Sequence, residues 1–230
     1  MRTKRYISLL LAALMALSLT ACGKGEDKSG HAATSIYPAK LTAEEEALIS
    51  LLGIGMDPYR IFDFQMGSET QGVQSIRLRA YELVGGDWSC VADTSRTFTD
   101  SVGRLALTFG KMTEGVQMAW QGENNSGGTS FTMEAGEGEA GLIYATSVLT
   151  NSPSIEFDEE IPLALQIATS KNEFSTYDVD YFGMPRELAR HNYEHVYAIT
   201  VTFSKEQAEE PTVTAPQSGA TGEPAPTPKS

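Results

Sequence analysis

Cysteine is almost missing: 230 residues contain only Cys22 and Cys90. Two cysteines cannot build a disulfide framework, so stability rests on an ordinary hydrophobic core. Basic residues are also in deficit, with 17 Lys and Arg against 30 Asp and Glu and a net charge of −13 with His neutral. A surface this negative repels phosphate, which argues against a nucleic-acid partner and against adhesion to anionic headgroups by charge. Long apolar runs are lacking as well. The run over residues 7–19, interrupted by Ser8 and Ser18, is shorter than the roughly 20 residues a bilayer-spanning anchor takes. There is no serine nucleophile elbow, Walker loop or zinc-peptidase motif.

The N-terminal run has the length and flanks of a signal-peptide core. Arg2, Lys4 and Arg5 precede it, and Leu19-Thr20-Ala21-Cys22 closes it. This ending resembles the lipobox of bacterial prolipoproteins: an aliphatic residue, two small ones, then cysteine. The resemblance implies cleavage after Ala21 and a diacylglyceryl group on the sulfur of Cys22. The acyl chains would then hold the protein on the cell membrane, facing outside the cytoplasm, since two chains anchor stably where one does so marginally. Removing residues 1–21, with three bases and no acid, takes the net charge to about −16. Cys90 is then without a partner in its own chain. Its strand-like setting, "DWSCVAD", suggests an inert core thiol.

The remaining chain divides by composition. Residues 22–40 are polar and glycine-containing and predict a flexible tether with a reach of about 25 Å. Residues 205–230, rich in Pro, Thr and Ser and without an aromatic, predict a solvated tail. A domain over 41–204 lies between them. It opens on a helix: Thr42 and Glu45 have capping-box spacing, Glu44 to Glu46 suit the positive end of the dipole, and Gly53 is placed to stop it.

Twofold alternation takes over from there. It aligns Phe62, Phe64 and Met66; Leu105, Leu107 and Phe109; Val116, Met118 and Trp120; Ile161, Leu163, Leu165 and Ile167; and Tyr197, Ile199, Val201 and Phe203. Gly85-Gly86 marks a hairpin. A two-residue turn there pairs Trp88 near Leu83, while a longer loop pairs it with Val84 and turns it to the other face. "TSFTMEA" and "LIYATSVL" read as a second hairpin around a glycine-rich turn. In all, about nine strands predict an antiparallel β-sandwich with the N-terminal helix as a cover, plus a short helix at "MPRELARHNY" before the last strand.

Several constellations bear on chemistry. Gly136, Gly138 and Gly141 match a dinucleotide pattern, but a strand-like segment follows where a helix is required, and Glu137 and Glu139 would repel phosphate. The match therefore reads as a hairpin loop. His191 and His195 have the i, i+4 spacing of a metal pair if one helix holds both, with Asp178 and Asp180 nearby. The bland placement puts His191 at a helix C-terminus and His195 at a strand edge. The acidic runs Glu156, Asp158, Glu159, Glu160 and Asp178, Asp180 lack the spacing of a calcium loop and read as solvated faces. Tyr177, Tyr181, Phe182 and Tyr193 fall in the irregular stretch before the last strand and are the candidate binding residues.

The expectation is a non-enzymatic, lipid-anchored binding or accessory module, without cofactor, for an envelope protein or glycan. The alternative is a metal-dependent envelope hydrolase using His191, His195 and the nearby acids.

Overall fold

Alternating apolar residues bury one face of a strand, and two such sheets must pack face to face. The computed structural model shows this arrangement, describing residues 34–51, 59–67, 73–132, 141–172 and 175–208. All of them fall in one compact unit, Ala33–Ser230. The first sheet holds β1 (Ser35–Pro38), β2 (Tyr59–Gln65), β5 (Val102–Thr108), β6 (Val116–Gly122) and β7 (Ser126–Phe131), in the order β1-β2-β5-β6-β7. The second holds β3 (Ser75–Val84), β4 (Asp87–Thr97), β8 (Ile143–Val148), β9 (Glu160–Thr169) and β10 (His195–Ser204), in the order β4-β3-β10-β9-β8. Every pairing is antiparallel. Phe64 of β2 meets Phe203 of β10 at 5.0 Å and Phe98 at 5.3 Å between ring centroids, at the centre of the core.

One buried polar side chain ties the layers together. Gln166 of β9 is fully buried; its Oε1 accepts the Met112 amide at 2.8 Å and its Nε2 donates to the Gly110 carbonyl at 2.8 Å and to Thr146 Oγ1 at 2.9 Å. It thus satisfies the backbone of the 3-10 turn Met112–Glu114 leading into β6.

Local signals hold where they depend on near neighbours. Helix α1 (Ala43–Leu51) starts on the expected capping box: Thr42 N donates to Glu45 Oε2 at 2.7 Å and Glu45 N donates to Thr42 Oγ1 at 3.2 Å. Gly85 and Gly86, with φ of 63° and 92°, make the two-residue turn whose twist suits a hairpin, so Trp88 pairs with Leu83. Helix α2 (Pro185–Ala189) begins on proline before β10.

Other expectations are corrected. The tether cannot extend to residue 40, because β1 pairs with β2 and buries Ser35 and Ile36. This adds a tenth strand to the nine expected. Helix α1 is no cover: it buries none of its residues and is held at the first sheet through Glu45 and Arg104. Gly53 lies outside the described residues. "TSFTMEA" and "LIYATSVL" do not form a hairpin, since β7 ends the first sheet and β8 ends the second. Of the glycine pattern between them, Gly136 and Gly138 lie outside the described residues.

A bulge at Leu163 corrects the phase of β9. Ile161 pairs with Val201 on the core side, whereas Leu165 and Ile167 pair with Ala198 and Val196 on the opposite face. A second bulge, at Val91 of β4, separates Trp88 and Cys90 from Ala92 in the same way. Cys90 therefore lies opposite Tyr81 on the outer face of an edge strand and is exposed, not a core thiol.

Candidate functional site

The bulge in β9 leaves Leu165 and Ile167 on the outer face of the second sheet beside Val196 and Ala198, and all four are buried. What covers them is the stretch before the last strand. It forms a 3-10 turn (Val179–Gly183) packed against β9, followed by α2, and it buries Val179 and Leu188 completely. Asp178 caps the turn by accepting the Val179 amide at 2.6 Å. At the far side, α2 reaches the β3–β4 turn, where Gly86 faces Ala189 and Arg186. The candidate binding residues all belong to this roof.

Their roles divide. Phe182 stacks on Trp88 at 5.1 Å and 22°, and Tyr81 meets it at 5.4 Å. The Trp88 indole also donates to the Phe182 carbonyl at 2.8 Å. Phe182 is thus the anchor that joins the roof to β3 and β4. Tyr177, Tyr181 and Tyr193 gather on the other side with His191. Tyr177 lies 4.8 Å from Tyr181, 5.1 Å from His191 and 6.3 Å from Tyr193, and His191 stacks on Tyr193 at 5.6 Å and 15°. The three tyrosines are half-buried against the core, and His191 is exposed.

Polar bonds organise this group. Tyr177 Oη lies 2.8 Å from His191 Nε2. Desolvation, then the bond to Tyr193, pushes the Tyr177 phenol above its ordinary pKa. Lys171 donates to the His191 carbonyl and places Nζ 5.3 Å from the centre of the Tyr193 ring. Ser170 donates to Glu194, and this bond, with a further one from Thr169, brings the Glu194 carboxyl down to about 2. The aromatic group is therefore pinned to the end of β9.

The two histidines go separate ways. His191 follows α2 and belongs to the aromatic group. His195 begins β10, with Nδ1 2.9 Å from Glu82 Oε1 and its ring stacked on Tyr197 at 5.7 Å. Glu194 bonds to Ser170, and Asp178 caps its turn. Among the described residues, no three His, Cys, Asp or Glu side chains are grouped to hold a metal ion.

Alternation could not reveal the ionic network beside the roof. Arg77 and Arg79 of β3 face Asp93 of β4 at 2.5 and 3.2 Å, and Arg79 also pairs with Glu160. Tyr81 Oη donates to Glu160 at 2.5 Å; burial first, then this bond, pushes the phenol up to about 12. Burial works against the Arg79 charge, but its bonds to Glu160 and Tyr81 outweigh that and raise its pKa. The Cys90 thiol is likewise pushed up, by desolvation and then by Asp93, which keeps it from becoming a ready nucleophile. The signal for this network was the i, i+2 pair of arginines on a strand, Arg77 and Arg79.

On the other sheet, small side chains meet in register: Ala106 faces Ala119, which faces Gly128. They floor a shallow depression of about 490 Å³ with Thr108, Gln117 and Ser130, and no charged residue lines it. No protein-family model matches the chain, and comparison with curated proteins and with solved structures finds no match either.

Proposed function

We infer that the chain is a membrane-anchored extracellular lipoprotein. In this reading the β-sandwich is a non-enzymatic binding or accessory module for an envelope protein or glycan. The observation that carries the reading is the run Arg2 to Cys22, with its basic start, apolar core and lipobox-like ending. Anchorage by acyl chains suits a net charge of about −16 after cleavage, which would give no electrostatic grip on anionic lipid. No helix among the described residues is long and apolar enough to cross a membrane.

The roof is where we place the partner. It brings Tyr177, Tyr181, Tyr193 and His191 together on a segment outside the strands, where binding residues concentrate. Phe182 supports it from below and makes no platform of its own. Aromatic edges flanked by the exposed Asp178, Asp180 and Arg190 offer apolar contact with a polar rim.

The test is crosslinking in cells. A photoreactive residue at Tyr193 of the lipidated chain should capture one dominant partner that is lost from a Cys22→Ala chain. Metabolic labelling with a fatty-acid analogue should mark the wild type and spare Cys22→Ala. An unlabelled wild type would remove the anchor. A labelled protein with neither a captured protein nor retention on an envelope-glycan panel would remove the binding role.

A further inference from the structure

Sheet edges are hazards, because unpaired N–H and C=O groups template another strand, and folded proteins usually blunt them. Two of the four edges here are blunted by their own residues or by covering chain. The β1 edge is four residues long, ends in Pro38 and is covered by the segment around Ser154: the Ile36 amide donates to the Pro153 carbonyl and the Ile155 amide to the Thr34 carbonyl, both at 3.2 Å. The β4 edge carries the Val91 bulge together with Asp87, Asp93 and Arg96. The β8 strand, IYATSV, has no charge or proline of its own and takes its nearby charge from Lys111, whose Nζ lies 5.3 Å from the Tyr144 ring centre.

The β7 edge has none of these devices. Its sequence, SGGTSF, contains no charge and no proline, and its pairing with β6 runs without a bulge over Val116↔Phe131 to Gln121↔Ser126. Among the described residues, no strand pairs with its other side.

We propose that β7 is a self-association edge, taking the β7 of a second copy antiparallel so that the two first sheets become one continuous sheet. The argument for a second copy is complementarity. A two-fold axis through Thr129 keeps like faces together. It sets Thr129 opposite Thr129 of the second copy, Gly128 opposite Ser130, and Gly127 opposite Phe131. Gly127 is covered by the Trp120 ring of its own copy, which lies where a Cβ would stand, so the Phe131 ring arriving from the second copy would lie beside that ring on the same face. Opposed threonines can share a hydroxyl hydrogen bond. Charge selects among approaches: copies that carry about −16 without residues 1–21 repel one another, and a six-residue strand without an ionisable group is where that repulsion is weakest. The inference concerns a different surface from the roof and does not depend on the lipid anchor.

The test uses the chain from Gly23 to Ser230, which retains every core residue described above, with Cys90→Ser to remove the exposed thiol. Sedimentation over a range of concentrations should show a reversible monomer–dimer equilibrium. Ser126→Lys with Ser130→Lys, both exposed positions, should weaken it more than tenfold. Thr129→Cys should crosslink to itself on mild oxidation, because directly opposed strand residues lie within disulfide reach, while Gln117→Cys on the open face of the same sheet should not. A dimer that ignores the lysines and does not crosslink at 129 uses another surface and overturns the proposal. So does a monomer at every concentration, whether its β7 amides exchange slowly because its own chain covers them or fast because the edge is free.

Discussion

Trp88 and Phe182, 94 positions apart in the chain, are joined twice: their rings stack at 5.1 Å, and the indole N–H donates to the Phe182 carbonyl at 2.8 Å. One residue stands near the start of an edge strand and the other in the roof. The pair therefore holds the roof over a sheet face whose own residues, Leu165, Ile167, Val196 and Ala198, are apolar and would otherwise meet water.

Replacing Trp88 by alanine removes both attachments. The half-buried ring and its hydrogen bond together should cost about 2–3 kcal/mol, read from denaturant unfolding. Hydrogen exchange should rise first over residues 175–193, ahead of β10. Uniform acceleration across both sheets would show that Trp88 serves the whole core instead.

Glu194 makes the roof sensitive to acid. Its folded pKa, about 2, lies below the ordinary 4.5, so the bond contributes above pH 4.5 and is lost as pH falls toward 2. Glu194→Gln should be less stable than wild type at neutral pH, by less than about 1 kcal/mol because the group is exposed. The gap between the two unfolding midpoints should shrink through that acid window. A gap constant down to pH 2 would refute this assignment.

Gln166 should not tolerate an apolar replacement. Gln166→Leu keeps the volume but leaves the amide of fully buried Met112 without its partner, while the carbonyl of Gly110, an exposed residue, has water within reach. The expected loss is about 1–3 kcal/mol, the cost of one buried unsatisfied group. A Gln166→Leu protein as stable as wild type would show that this turn finds other partners.

Gly103 sits where the core has no spare volume. A Cβ there would lie 2.5 Å from Phe64 Cζ, 2.8 Å from Phe98 Cζ and 2.9 Å from the Gln121 carbonyl. Gly103→Ala should destabilise by about 1–3 kcal/mol through overpacking. Gly110→Ala, which meets nothing within 4 Å, is the control and should change little.

Cys90 should react with an alkylating reagent in the folded protein, to one equivalent and without denaturant. The rate should stay below that of a free thiol at the same pH, because desolvation and Asp93 raise its pKa. Labelling only after unfolding would restore the buried thiol that its strand context suggested.

Most of the architecture was legible in the residues because it rests on short-range rules. A capping box needs only Thr42 and Glu45, a tight hairpin only Gly85 and Gly86, and a half-buried strand only alternation, as at Phe62, Phe64 and Met66. Tyr177, Tyr181, Phe182 and Tyr193 do lie in the irregular segment before β10, as their places in the chain suggest. What they touch there was not visible: Phe182 became an anchor because Trp88 reaches it from another element, and His191 and His195 parted because the helix stops at Ala189.

Partner and register are long-range properties, and these only the tertiary structure decided. Ser35 to Pro38, SIYP, are too few to show an alternation of their own and become a strand because β2 and the chain around Ser154 pair with them. One bulge moves Leu165 and Ile167 from the expected core face to the face under the roof, and another puts Cys90 outside. Strands β7 and β8 belong to different sheets although they are consecutive in the chain. Composition and alternation dictate that two sheets form and which side chains must leave water. They say nothing of which strand lies beside which, because each backbone edge offers the same hydrogen bonds to every strand, and only packing of the whole core tells the pairings apart.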